Sequence, residues 1–238
     1  MSKTRLVLAP LMLIAGLRAQ QANPGNAEIH VLHVQGNIHM VVGGGGNVTV
    51  QAGKDGVLVV DTGLTNLATK ALAAIRTISD GPIRYIINTH VHADHIGGNE
   101  ILVKQGGAAN SVPGEPRVIA NLAVQERMAG PPIGNEAPVP GALWPNDTYS
   151  TPYKDLFFNS EAIVVYHVPN AHTDGDSIVF FRRSDVVSTG DIFTPGRYPF
   201  IDLPRGGSVQ GLINALNKVL GVSRRMQVAW ESPQADSA

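Results

Sequence analysis

Three imidazoles and one carboxylate fall within six residues, in Thr89-His90-Val91-His92-Ala93-Asp94-His95. An apolar, β-rich segment, Ile83-Arg84-Tyr85-Ile86-Ile87-Asn88, precedes them and reads as a buried strand. Ile96-Gly97-Gly98 follows, and Asn99 to Lys104 then reads as the first turns of a helix. The cluster therefore sits at a strand-to-helix crossing, where α/β proteins place their chemistry. Imidazole and carboxylate are the nitrogen and oxygen ligands that zinc accepts. His90 and His92, spaced i, i+2 on an extended backbone, point to one side and can reach one ion. Asp94 and His95 come after the chain begins to turn, so they can face a second ion beside it.

The rest of the composition limits what such a site can be. The 238 residues suffice for one large domain or two small ones, and 43% apolar residues supply a sizeable core. The chain has no cysteine, which excludes disulfides, thiolate zinc sites and a cysteine nucleophile. A net charge of −1 with no basic run gives nucleic acid no purchase. The 26 glycines and 16 prolines suit a loop-rich enzyme better than a helical bundle. Residues 1–22 read as a secretory signal: Lys3 and Arg5, an apolar run from Leu6 to Leu17, then small residues at Ala19 and Ala22. The run is shorter than the roughly 20 residues of a membrane span, and Pro10 opposes an anchoring helix. The expectation is a periplasmic or secreted protein with no stable membrane span.

From Ala27 onward the chain alternates as strands do, over Glu28 to Val34 and Asn37 to Val42. The four glycines from Gly43 to Gly46 form a hairpin tip; no Lys-Ser/Thr follows to make a phosphate loop. His30, His33 and His39 lie on ordinary strand positions without a carboxylate partner and read as surface or edge residues. Gly56 to Gly63 is a buried strand ending in Asp61-Thr62-Gly63, where a shielded Asp61 needs hydrogen-bond partners or caps the next helix. Thr65 to Ile78 has helical spacing and stops at Asp80-Gly81-Pro82. Arg117 to Ala120 reads as a strand and Asn121 to Met128 as a helix. Ala129 to Pro152, dense in proline and glycine, is either a surface excursion or a wall over the site, with Trp144 and Tyr149 as its pocket-lining candidates. Strands follow over Leu156 to Phe158, Ala162 to Val168, Ser177 to Phe181 and Val186 to Thr189, and a helix over residues 208–220.

His-x-His-x-Asp-His resembles the signature of the metallo-β-lactamase superfamily. Two later segments fit the resemblance in order: Ala171-His172-Thr173-Asp174-Gly175-Asp176 and Ser188-Thr189-Gly190-Asp191. The resemblance implies a four-layer αββα sandwich over residues 27–220, two mixed sheets face to face with helices outside. It implies a first zinc on His90, His92 and His172, and a second on Asp94 and His95 with Asp191 bridging. Asp94 would also be catalytic, orienting the attacking water and receiving its proton. Asp61 would pack beneath the metals as a supporting group, the glycine tip would overhang them, and His167 would be structural. The implied activity is zinc-dependent hydrolysis of a small-molecule substrate, by hydroxide attack on an ester, thioester, lactone or β-lactam carbonyl. Arg197 and Arg205 are either holders of a substrate carboxylate or solvated loop charges. The family's closing histidine has no counterpart, since no histidine follows His172. Residues 221–238 therefore read as an atypical tail. The sandwich is expected to lack its last strand and helix, and the second zinc to bind more weakly. The alternative reading is an impaired, truncated metal-binding remnant. Oligomeric state is not legible.

Overall fold

The computed structural model describes residues 28–107, 116–196 and 198–230; the signal-like segment and Arg197 lie outside the described residues. Two sheets face each other. The first holds β1 (His30–Gln35), β2 (Ile38–Val42), β3 (Val48–Gly53), β4 (Gly56–Val60), β5 (Ile83–Ile87), β6 (Arg117–Asn121) and β7 (Asp147–Tyr149), in that order. The second holds β8 (Tyr153–Phe158), β9 (Glu161–His167), β10 (Ser177–Phe181) and β11 (Val186–Ser188), all antiparallel. In the first sheet the hairpins β1 to β4 are antiparallel, whereas β4 to β7 pair in parallel. The helices are α1 (Ala68–Ile78), α2 (Ala93–Ile96), α3 (Asn99–Gln105), α4 (Leu122–Ala129) and α5 (Val209–Trp230).

The period of two along each strand decides the layering. Leu58 and Val60 of β4 and Ile87 of β5 point inward, against Ile163 and Val165 of β9 and Val179 and Phe181 of β10. Val57, Val59, Ile83 and Ile86 point the other way, onto Leu72 and Ile75 of α1 and Leu102 of α3. Strands buried on both faces must be apolar throughout, and β4 and β10 are. Leu212 and Ala215 of α5 cover Ile178 on the outer side of the second sheet. The order is helix, sheet, sheet, helix, as expected.

One charged group is enclosed with this core. Glu161 at the start of β9 accepts from Gln51 Nε2 at 2.6 Å, from Ser184 N at 2.5 Å and from Ser184 Oγ at 3.0 Å, tying the two sheets together. Glu161→Ala leaves those donors without an acceptor, at about 1–3 kcal/mol for each buried group. A loss of roughly 2–4 kcal/mol is expected, read as a lower urea midpoint at unchanged slope.

Three expectations change. The helix expected over 208–220 continues to Trp230, into the segment read as an atypical tail. Gly221-Val222-Ser223 reads as a break, but Val222 is buried and extends the apolar stripe of Leu212, Ala215 and Val219; the packing outweighs glycine's cost of about 1 kcal/mol. The excursion after α4 contains β7, too short and polar to register as a strand, which pairs with β6. Tyr149 lines no pocket. It sits in the core between the sheets, with its hydroxyl 2.7 Å from Ser177 Oγ, and burial pushes its pKa up to about 12. Trp144 packs beside Leu143 and donates from Nε1 to the Val139 carbonyl.

Candidate metal centre

The parallel strands β4 and β5 end side by side, and their C-terminal ends carry Asp61 and the Thr89–His95 turn. The turn is locked from below. Asp61 Oδ1 accepts from Thr89 N at 2.8 Å, and Oδ2 accepts from Thr89 Oγ1 at 2.8 Å and His95 Nδ1 at 2.7 Å. To make all three bonds Asp61 adopts φ of 62°, a left-handed conformation that aspartate tolerates better than most residues. It caps no helix; its hydrogen bonds hold the turn that carries the candidate ligands. Asn88 and Asn99 hydrogen-bond to each other, and Asn88 and Thr62 both donate to the His95 carbonyl. Asn99 also donates to the Leu143 carbonyl, so the proline-rich excursion braces the turn. Ser177 N donates to the Thr89 carbonyl and joins the second sheet to it.

Each histidine has one ring nitrogen engaged away from the centre, which fixes the other toward it. His95 Nδ1 donates to Asp61. His92 Nε2 donates to Asp202 Oδ2 at 2.8 Å, and His172 Nδ1 to the Phe200 carbonyl at 2.9 Å. His90 Nδ1 faces Thr89 Oγ1 at 3.1 Å; that hydroxyl already donates to Asp61 and is left to accept. The inward nitrogens converge. His92 Nδ1 lies 3.1 Å from His90 Nε2 and 2.9 Å from His172 Nε2. Three lone pairs turned on one another repel unless a cation or proton sits among them. His90 is held well below the ordinary histidine pKa, by burial and then by the neighbouring imidazoles, so it offers the neutral ring that a metal needs.

The second group of ligand atoms adjoins the first: His90, His95 and Asp191. His95 Nε2 is buried without a hydrogen-bond partner. Asp191 Oδ1 lies 3.2 Å from it, and Asp191 Oδ2 lies 3.8 Å from His172 Nε2, so this carboxylate reaches both groups. Asp94 Oδ2 stands 3.7 Å from His95 Nε2, with its carboxylate partly exposed. Burial opposes charge on His95, but Asp61 and Asp191 outweigh it and hold its pKa well above the ordinary value. The adjacent His95 imidazole in turn depresses the pKa of Asp191. Asp191 depends on Gly190 (φ 52°), where a Cβ would lie 2.8 Å from Thr89 Oγ1. A Cβ on Gly46 would lie 3.1 Å from His95 Nε2, so the hairpin tip does overhang the site.

All six candidate ligands meet in one place. His167 is structural, donating from Nε2 to the Asp174 carbonyl at 2.9 Å. The strand histidines His30, His33 and His39 join no ligand cluster among the described residues. Arg205 is neither a free substrate anchor nor a solvated charge: its guanidinium is largely buried and pairs with Asp202 and Glu136. Asp202 is the residue that sequence reading missed. It is 4% exposed, lies far from the motif in sequence, and orients His92 while Arg205 holds the same oxygen at 2.7 Å. Asp202→Ala should weaken metal binding about 10–100-fold, the usual loss when such a supporting contact goes. Competition against a chelator measures it, and circular dichroism checks the fold.

A mixed α/β sandwich with a histidine-rich candidate metal site at the ends of its strands defines a class. The family model for the metallo-beta-lactamase superfamily matches residues 41–229, and the chain belongs to that superfamily. The metallo-beta-lactamase from Pontibacter korlensis superposes with a TM-score of 0.65 at 16% identity, over 83% of this chain and 87% of that one. The stereoselective inverting sec-alkylsulfatase Pisa1 from Pseudomonas sp. superposes with a TM-score of 0.58 at 20% identity, over 81% of this chain and 36% of that one. In sequence, the chain is 37% identical over 84 residues to the linear primary-alkylsulfatase of Pseudomonas sp. (strain ATCC 19151), a match to 32% of this chain and 15% of that protein.

Proposed function

We propose that this superfamily hydrolase is a zinc enzyme that directs hydroxide onto a carbonyl: that of an ester, thioester, lactone or β-lactam. The observation that carries the reading is the convergence of bare imidazole nitrogens on one point, beside a buried His95 Nε2 with no partner. Neutral imidazole with carboxylate is a zinc donor set. His90, His92 and His172 would hold the first ion, and His95, Asp94 and Asp191 the second. Zinc bound there would polarise the substrate and lower the pKa of a water to about 7. Asp94 is the partly exposed carboxylate at the mouth of the site, placed to orient a water and take its proton. The first position has three buried or half-buried imidazoles, whereas the second has one imidazole and two partly exposed carboxylates. The second ion is therefore the weaker.

A second reading, hydrolysis of a sulfate ester, is favoured by the sequence match to the linear primary-alkylsulfatase. One experiment addresses both: zinc content of the purified protein, then turnover of carbonyl esters, thioesters, lactones, β-lactams and alkyl sulfates with and without added zinc. Roughly one tightly held zinc and a rate that rises with added zinc are expected. Turnover indifferent to chelators would sink the zinc reading.

We also propose export, on the charged, apolar and small-residue pattern of residues 1–22. Mass spectrometry of the protein from its native host's envelope should find a new N-terminus near Ala19 to Ala22. An intact Met1 or Ser2 on cytoplasmic protein would remove the argument.

A further inference from the structure

The segment from Asp191 to Leu203 carries four large apolar or aromatic side chains in water. Phe193, Phe200 and Leu203 are 58%, 67% and 70% exposed, and Tyr198 is 98% exposed. Single exposed apolar residues need no explanation. Four on one short segment beside a candidate site do, because exposed apolar surface of that kind marks a binding surface. This segment is tied to the candidate metal centre at Phe200 and Asp202. Phe193 stands two residues after Asp191, the Phe200 carbonyl accepts from His172, and Leu203 follows the Asp202 that orients His92. The Phe200 ring packs against the His172 ring with centroids 5.7 Å apart. Arg205, which follows this segment, is already paired with Asp202 and Glu136. Across the site the glycine tip presents no side chain, and Gly44 has open space where a Cβ would be.

We infer that this loop is the substrate's apolar wall: Phe193, Tyr198, Phe200 and Leu203 hold an alkyl or acyl chain attached to the bond that is cleaved. The inference rests on the proposed hydrolytic centre but concerns a different part of the substrate. The selectivity follows from area: a fully buried methylene raises affinity about fourfold, and an open wall that covers half of it about twofold.

The test is binding of linear alkylphosphonates, ethyl to octyl, to the full-length zinc-loaded protein by calorimetry. Affinity should rise about twofold per methylene. In the double variant Phe193→Ser, Leu203→Ser the octyl-to-ethyl affinity ratio should fall about tenfold. Phe157→Ser, exposed on the other sheet, should leave that ratio unchanged. A flat series, or a ratio that the double variant keeps, overturns the inference. A flat series with loop-dependent sedimentation on phosphatidylcholine vesicles also overturns it, assigning the loop to a membrane surface. A protein that shows the chain-length rise yet neither retains zinc nor hydrolyses any ester refutes the proposed function and leaves the apolar wall standing.

Discussion

His92→Ala is expected to give a folded protein that no longer retains its tightest metal. The fold survives because the removed ring is the crowded one: its Nδ1 faces two other imidazole nitrogens at 2.9 and 3.1 Å. Asp202, its partner on the far side, keeps Arg205 at 2.7 Å. Removing the ring therefore relieves repulsion and strands no charge. The metal fares differently. Two imidazoles, His90 and His172, remain of three, and losing a ligand costs more than the 10–100-fold typical of a supporting contact. Hydrolysis should fall by at least about a thousandfold, since the pKa of water returns from about 7 to its bulk value. Zinc content after dialysis, with a thermal melt on the same sample, is the measurement. Wild-type zinc in this variant would mean that the first position lies elsewhere.

Asp61→Ala should be the most destabilising substitution at the site. Its carboxylate accepts three hydrogen bonds while 2% exposed. Without it Thr89 N, Thr89 Oγ1 and His95 Nδ1 lose their acceptor, at about 1–3 kcal/mol each, and alanine must also hold φ near 62°. A loss of roughly 3–5 kcal/mol is expected in denaturant unfolding. The same carboxylate sets a pH dependence. In the metal-free protein the His95 pKa is raised well above its usual value, by Asp61 and Asp191 against burial. That contribution is complete below the unfolded value near 6.5 and is lost as pH rises through the folded value. Metal-free protein should thus lose stability on the alkaline side. Asp61→Asn, which keeps a residue tolerant of positive φ, should flatten this dependence. A slope as steep in Asp61→Asn as in wild type would move its origin away from His95.

The candidate ligands of the turn stand out because metal chemistry requires particular residue types and the turn packs four of them into six positions. The later segments at His172 and Asp191 were legible only through resemblance, since a single histidine or aspartate at a strand end is uninformative. The strands and most helices followed from their periodicity. The failures share a cause. Tyr149, the three-residue β7 and the stretch of α5 at Val222 take their state from what they pack against, and local pattern does not carry that.

What the sequence determined by itself is the cluster of candidate donors from His90 to His95 and the strand-to-helix crossing that presents it; the layer order came through the resemblance. What the tertiary structure decided is how those donors are held. Asp61 reaches His95, Asp202 reaches His92 and the Phe200 carbonyl reaches His172 across 34, 110 and 28 residues of chain. Each such contact is one ordinary hydrogen bond between common residue types. Its meaning comes from where the fold brings the two ends together, and no spacing along the chain encodes that.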